Sequence, residues 1–323
     1  MSLDLELSLP IHSHSIPLHP TPSMRVLIAG TGYLGVALGS RLVAAGHTVD
    51  ALRRPGSDTT GLRQAGLQPL AADLTRTDSL AALPAIPWDW VVLCAAPAES
   101  TEPAYRSVYL DGTRNLLHRL DSTPPHALVF TGSTSVYGQT DGSDVDETSP
   151  TDPNDFGGRV LLETEALLID SVRRGFPASI VRAAGIYGPG RHRLDAFRRG
   201  ESRVRGDGSR WMNLIHRDDL AAAIVALLER AQPGAIYNAC DGASPTEAEF
   251  NTWLAKQLRL PNPPPAPSGA GPPGRRIRTP TNKRVLARRL REELGWTPAY
   301  PDFRAGYESL LIGAPPGACR SRD

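Results

Sequence analysis

Short apolar runs alternate along the first half of the chain with longer stretches whose apolar positions recur at helical spacing. The runs are Val26-Leu27-Ile28-Ala29, Thr48 to Leu52, Gly66 to Ala71, Trp90 to Cys94, Leu128 to Thr131 and Ala178 to Ala183. Each has the length and apolar content of a strand covered on both faces of a parallel sheet. Between them, Leu34, Ala37, Leu38, Leu42 and Ala45 share one helical face. Tyr105 to Leu120 also reads as a helix, as does a stretch from Val160 that ends near Arg174-Gly175. Alternation of this kind predicts an α/β fold with a doubly wound parallel sheet, whose ligands sit in the crevice at the carboxyl ends of the strands.

Beyond Ala183 the alternation becomes irregular. Asp218 to Ala231 predicts a helix with two acids at its positive end. Ala235 to Ala239 predicts a strand, and Ser244-Pro245 a capped helix start. Lys283 to Leu294 predicts a basic helix stopped by Gly295. Asp141 to Asp155 predicts an acidic surface loop, and the proline- and glycine-rich residues 261–275 a loop or linker. The chain thus divides into a disordered tail (1–23), a nucleotide-binding domain (24–185), a smaller substrate lobe (186–312) and a second tail (313–323). The helix after residue 215 and the strand near 235–239 are free to return to the large sheet.

The first strand runs straight into Gly30, Gly32 and Gly35, in G-x-G-x-x-G spacing, and then into a helix. In that context the first glycine permits a tight turn. The second lets a pyrophosphate approach the backbone, and the third lets helix and strand pack closely. Tyr33 and Leu34 open the helix, whose free N–H groups and positive dipole end favour phosphate. This predicts a Rossmann-type dinucleotide site. About 20 residues past the glycines, NAD enzymes place an acid for the ribose hydroxyl. Here Arg53-Arg54 stands there, which suits a 2′-phosphate and favours NADP(H) over NAD(H); a solvated basic loop is the other reading. Asp73-Leu74, past the third strand, can receive the adenine or cap the next turn. Cys94, Ala95 and Ala96 are small residues at the fourth strand end and leave room for the cofactor.

Composition narrows the classes. A chain of 323 residues with 40% hydrophobic content supports a large core, and a net charge of +1 gives no reason to expect nucleic acid or an anionic membrane as partner. No apolar run reaches the roughly 20 residues of a membrane helix. Cys94, Cys240 and Cys319 are scattered and suit a reducing cytoplasm, and the acids and prolines before Met24 do not make a signal peptide. His12, His14 and His19 lack further ligands at metal spacing, so no metal is expected.

Taken together, VLIAGTGYLG, AADL, VVLCAAP, YLDGTRNLL, VFTGSTSVYG, DETSP, VRAAGIYGPGRH, NLIHRDDLAAAI, IYNACDG and ELGWTPAYP resemble the short-chain dehydrogenase/reductase superfamily, in its extended NAD(P)-dependent epimerase/dehydratase-like branch. The resemblance covers Met24 to about Tyr307. It implies hydride exchange at a carbon bearing oxygen, with a serine positioning that oxygen and a tyrosine as acid/base. A lysine holds the nicotinamide ribose and lowers the tyrosine pKa from its ordinary value of about 10. Ser133 falls on the serine position. The Y-x-x-x-K segment reads Asn154 to Val160, with Asp155 and Arg159 in the preferred register and Phe156 and Val160 in the other. Neither carries the tyrosine. Arg159 is then the expected ribose cation. Tyr137 is either a substitute proton donor or a packing residue, and Asp111 either orients a water or the substrate or is a buried, hydrogen-bonded helix residue. Arg191, His192, Asn213 and His216 lie in the family's substrate segments and are expected at the entrance between the lobes. These readings imply an oxidoreductase or epimerase acting on a small, sugar-like or nucleotide-linked substrate, or a catalytically degenerate NADP(H)-binding sensor or scaffold. A homodimer through the helices before the fifth and sixth strands is also expected.

Overall fold

The computed structural model describes residues 22–267 and 281–312. The three N-terminal histidines, Cys319, nearly all of both expected tails and the second part of the 261–275 segment lie outside the described residues. The chain lays down β1 (Arg25–Ala29), α1 (Tyr33–Ala44), β2 (Thr48–Arg53), α2 (Thr60–Gln64), β3 (Gln68–Ala71), α3 (Thr77–Ala81) and β4 (Trp90–Leu93) in strict alternation. A broken helix follows, made of α4 (Glu102–Tyr105), a π-helical turn (Arg106–Asp111) and α5 (Gly112–Leu120). Then come β5 (Ala127–Ser133), the short β6 (Asp144–Val145), α6 (Phe156–Val172) and β7 (Ala178–Ala183). The remainder is β8 (Gly185–Tyr187), α7 (Leu194–Arg198), β9 (Leu214–His216), α8 (Arg217–Arg230), β10 (Ile236–Ala239), α9 (Glu247–Leu258), β11 (Arg284–Val285), α10 (Arg288–Leu294) and α11 (Phe303–Ile312).

Seven strands pair in parallel in the order β10-β7-β5-β4-β1-β2-β3. The order reverses between β1 and β4, and a Rossmann-type sheet opens its ligand crevice at that point. WVVL of β4 and ASIVRA of β7 are buried along their whole length. Asp50 is the charged exception in β2. It is 1% exposed and accepts hydrogen bonds from Arg25 and from the Trp88 indole, so it is held inside the fold and away from the crevice. β10 pairs with β7 from Ile236↔Ile180 onward, and α8 packs on α1 and β5. Both elements thus return to the large sheet. A second apolar cluster, with Tyr187, Leu194, Phe197, Met212, Phe250, Leu254, Phe303 and Tyr307, forms the centre of a smaller lobe.

Two local expectations are corrected. The basic helix begins only at Arg288, because Arg284–Val285 pairs with Asp144–Val145 as a small parallel ladder. Lys283 is 5% exposed there and donates to the Tyr137 carbonyl at 2.7 Å, which also ties down the acidic loop. The cap of α9 is Thr246, reciprocated by Glu249, while the Ser244 hydroxyl donates to Asn213.

Candidate active site

The glycine turn sits where the strand order reverses. Gly30 has φ +111°, and a Cβ on it would lie 2.2 Å from the Ala95 nitrogen, so the end of β4 closes directly on the turn. The Cys94 thiol, pushed up to about 12 by burial, stays protonated and donates to the Gly30 carbonyl at 3.1 Å. A Cβ on Gly35 would lie 2.4 Å from that same carbonyl, so α1 meets β1 at backbone distance. Gly32 differs. Among the described residues nothing lies within 4 Å of the place its Cβ would take. No side chain caps α1, and its first turn carries no acid. Free N–H groups, the positive helix end and an open cradle therefore coincide, which fits the pyrophosphate of a dinucleotide.

The end of β2 divides the two arginines. Arg53 donates twice to the Thr31 carbonyl, at 3.1 and 2.7 Å, and once to the Asp58 carbonyl at 3.0 Å. It braces the turn. Arg54 is exposed, with no side-chain partner among the described residues. The expectation of two guanidiniums for one phosphate is thereby corrected to one free guanidinium. Asp73 accepts from the Thr75 nitrogen and hydroxyl, at 2.9 and 2.8 Å, so it organises the turn it opens. Leu74 is buried, and its carbonyl accepts from Asn115.

Ser133 ends β5, half-buried, and its Oγ accepts from the Ser135 nitrogen at 3.1 Å. The first turn of α6 rests on this loop, since a Cβ on Gly158 would lie 3.0 Å from the Ser135 carbonyl. Arg159 lies on that turn, exposed and without side-chain hydrogen bonds or ion pairs among the described residues. Asp155 caps α6 by accepting from the Gly158 nitrogen at 2.9 Å. Phe156 meets Tyr105 edge-on at 5.4 Å. Tyr109 joins Tyr105 and Phe130 in the same cluster. Tyr105 and Tyr109 carry no role in the sequence reading, although their spacing places both on one helical face.

Two candidates occupy other places. Tyr137 is 0% exposed; its hydroxyl donates to Asn238 and accepts from Arg182, both at 2.9 Å. Arg182 is in turn bound bidentately by the buried Glu165. Burial raises the Tyr137 pKa, and of its two readings the packing one is what the structure displays. Asp111 is exposed and paired with Arg114 at 2.7 Å, which corrects the buried reading. It ends the π-helical turn, whose wider coil shifts the face on which later residues emerge.

The substrate candidates separate in the same way. Arg191 lies over the Tyr33 ring at 5.6 Å, and Arg217 lies over it at 5.1 Å. His216, 1% exposed, accepts the Asp218 N–H on Nδ1 and so caps α8. Burial lowers its pKa, and the neutral ring carries its proton on Nε2. Among the described residues that Nε2 and the Tyr33 hydroxyl are both buried without partners, and both border the Gly188 backbone. His192 is half-buried with an unpartnered Nδ1. Asn213 is corrected to a brace, because its amide donates to the Lys283 carbonyl and accepts from Ser244 and from the Val285 nitrogen. The structure thus gathers Tyr33, Arg191, His216 and Arg217 near the glycine turn and leaves Asn213 aside. Among the described residues no His, Cys, Asp and Glu cluster could hold a metal, and no helix is long and apolar enough to cross a membrane.

The model of the NAD dependent epimerase/dehydratase family matches residues 26–240. The chain belongs to this family. Protein YeeZ of Escherichia coli (strain K12) is 33% identical over 294 residues, spanning 86% of this chain and 97% of YeeZ. A solved structure of a candidate NAD-dependent epimerase/dehydratase from Methylobacillus flagellatus is 35% identical, with a TM-score of 0.71 over 90% of this chain and 98% of that one. DesIV, a dTDP-glucose 4,6-dehydratase from Streptomyces venezuelae solved with NAD bound, has a TM-score of 0.76 over 90% of this chain and 96% of its own. At 21% identity that last likeness is one of fold. The parallel sheet with flanking helices described above is the fold that matches these solved structures.

Proposed function

We propose that the chain is an NAD(P)-dependent oxidoreductase or epimerase-like enzyme, acting on a carbonyl or hydroxyl group of a small, sugar-like or nucleotide-linked substrate, with NADP(H) preferred. The open, uncapped turn at Gly32, set where the sheet order reverses, carries this reading. When bound, the dinucleotide supplies hydride exchange at a carbon bearing oxygen. The first N–H groups of α1 hold its pyrophosphate, and Arg54 meets the 2′-phosphate. Ser133 accepts the Ser135 N–H, which leaves its own O–H to donate to the substrate oxygen. Arg159 holds ribose hydroxyls but does not fully imitate a lysine. With Asp155 and Phe156 at the two places open to the family tyrosine, the acid/base is non-standard. We assign the protein to the cytoplasm, as a homodimer through α5 and α6.

The test is nicotinamide turnover against a panel of carbonyl and alcohol substrates. Ser133→Ala is expected to lower kcat by about 100-fold. Unchanged turnover would remove Ser133 from the mechanism.

A second reading, an NADP(H)-binding sensor or scaffold without chemistry, is favoured by one observation. Asp155 is engaged as a helix cap, Phe156 packs in an aromatic cluster, and the Tyr137 hydroxyl is doubly bonded in the interior. Robust hydride transfer by the pure protein, abolished on replacing Gly32, excludes that reading.

A further inference from the structure

Hydride exchange at a carbon bearing oxygen also moves a proton at that oxygen, so the site needs a titratable group there. The start of α6 does not meet that need. Asp155 caps the helix by accepting from the Gly158 nitrogen, and Phe156 carries nothing to titrate. The Tyr137 hydroxyl is held in the interior by Arg182 and Asn238. The neighbouring helix brings another phenol to the same place. β4 and β5 are parallel neighbours, so the helices that follow them, α4 and α6, both begin at the carboxyl edge of the sheet, over the crevice. There the ring of Tyr105 meets the ring of Phe156 edge-on, at 5.4 Å and 87°.

The position of Tyr105 is built. Thr101 caps α4 by accepting from the Ala104 nitrogen, and Pro103 stiffens its first turn. Arg106, the next residue, donates to both carboxylate oxygens of Glu163 on α6, at 2.9 and 2.6 Å. The two helices are therefore fastened together beside Tyr105. Phe156 and Arg159 are three residues apart on α6 and share a face. The first turn of α6 rests in turn on the loop that leaves Ser133. Tyr105, Arg159 and Ser133 thus stand at one end of the sheet, each on a different element. Tyr109 lies one turn further from the crevice, with its ring edge-on to Phe130 at 6.2 Å and packed against the apolar core. Tyr105 is half-buried and stands outside that core.

We propose that Tyr105 is the acid/base of this site, reaching the substrate oxygen from the helix after β4 in place of a group on α6. Ser133 donates to the same oxygen. In the oxidising direction the substrate O–H bond breaks and its proton passes to the ionised Tyr105 oxygen. The C–H bond gives up a hydride to the bound dinucleotide, and the C–O bond becomes a carbonyl. In the reducing direction the phenol O–H bond breaks, and its proton goes to the carbonyl oxygen as hydride arrives at carbon. The charged groups around the phenol are Glu102 and Arg106 on its own side and Asp155, Arg159 and Glu163 on α6. The inference rests on the oxidoreductase reading and deepens it by naming the residue that moves the proton.

The experiment compares the full-length wild type, Tyr105→Phe and Tyr109→Phe in nicotinamide turnover of a panel of aldehydes, ketones, secondary alcohols and nucleotide sugars. NADPH titration and urea unfolding run alongside. Tyr105→Phe keeps a ring against Phe156, so the urea midpoint and NADPH affinity are expected to stay as in wild type. Its kcat is expected to fall about 100-fold or more, with KM little moved. Alcohol oxidation by the wild type should rise with pH as the phenol loses its proton, and Tyr105→Phe should lose that rise. A merely structural ring would leave the pH profile as it is. Tyr109→Phe is expected to turn over like wild type. Full turnover by Tyr105→Phe, an unchanged pH profile, or loss of turnover in Tyr109→Phe alone overturns the proposal and leaves the oxidoreductase reading standing. A folded wild-type protein that binds NADPH and turns over no compound of the panel overturns both.

Discussion

Gly30 and Gly32 stand two residues apart in one motif and answer different demands. Gly30 adopts φ +111° against the Ala95 backbone, so Gly30→Ala is expected to cost about 2 kcal/mol or more, read as a lower thermal midpoint. Gly32 faces open space, so Gly32→Ala is expected to change stability by less than about 1 kcal/mol while abolishing nicotinamide binding. The same logic divides the arginines. Arg54→Ala should reduce the preference for NADPH over NADH and leave stability unchanged. Arg53→Ala should weaken both dinucleotides alike and cost about 1–2 kcal/mol, because its three bonds brace the turn. Paired fluorescence titrations and urea curves read both. Residues of the glycine turn were legible in the sequence because their constraints are local. Tyr137 and Asn213 were not. The Tyr137 hydroxyl meets Arg182 and Asn238, 45 and 101 residues away, and Asn213 meets Lys283 and Val285, 70 and 72 residues away. Nothing near them in the chain announces those partners.

At the scale of elements, α6, β7, β10 and the loop after β5 are pinned together by the Glu165–Arg182 pair with Tyr137 and Asn238. Removing one partner leaves the other charge buried, so Glu165→Leu is expected to cost about 3 kcal/mol or more. The double variant Glu165→Leu, Arg182→Met should lose less than that single change, as measured by urea unfolding. Past the end of β10, Asp241 is 1% exposed with an unpartnered Oδ2, and burial raises its carboxyl to about 8. Asp302 and Asp219 push it the same way, while the Ala243 N–H and Arg291 oppose. An unfolded aspartate titrates near about 3.9, so between that pH and the folded value the native protein holds a proton that the unfolded chain has lost. The contribution is fully present below the unfolded pKa, and stability falls as pH rises towards 8. Urea midpoints between pH 5 and pH 8 should decline, and Asp241→Asn should flatten that decline. The misread helix start at Lys283 has an equally plain cause. The run KRVLARRLREEL fits helical spacing, but its first residues pair with β6, 140 residues earlier, and only that pairing makes them a strand.

For the whole molecule, alternation of strands and helices carried the parallel sheet and its class, because burial on both faces leaves a direct mark on composition. The return of α8 and β10 left a weaker mark. A four-residue strand names no partner, and the choice of β7 follows from packing across the whole sheet. The resulting frame sets the glycine turn opposite the end of β4 and brings Arg191 and Arg217 of the later segments over Tyr33. The central claim is that this turn still holds a nicotinamide dinucleotide. Titrating the pure protein with NADPH and with NADH, followed by nicotinamide fluorescence, tests it most directly. Saturable binding, tighter for NADPH and lost in a folded Gly32→Ala variant, is the predicted result. A folded wild-type protein that binds neither dinucleotide would contradict it.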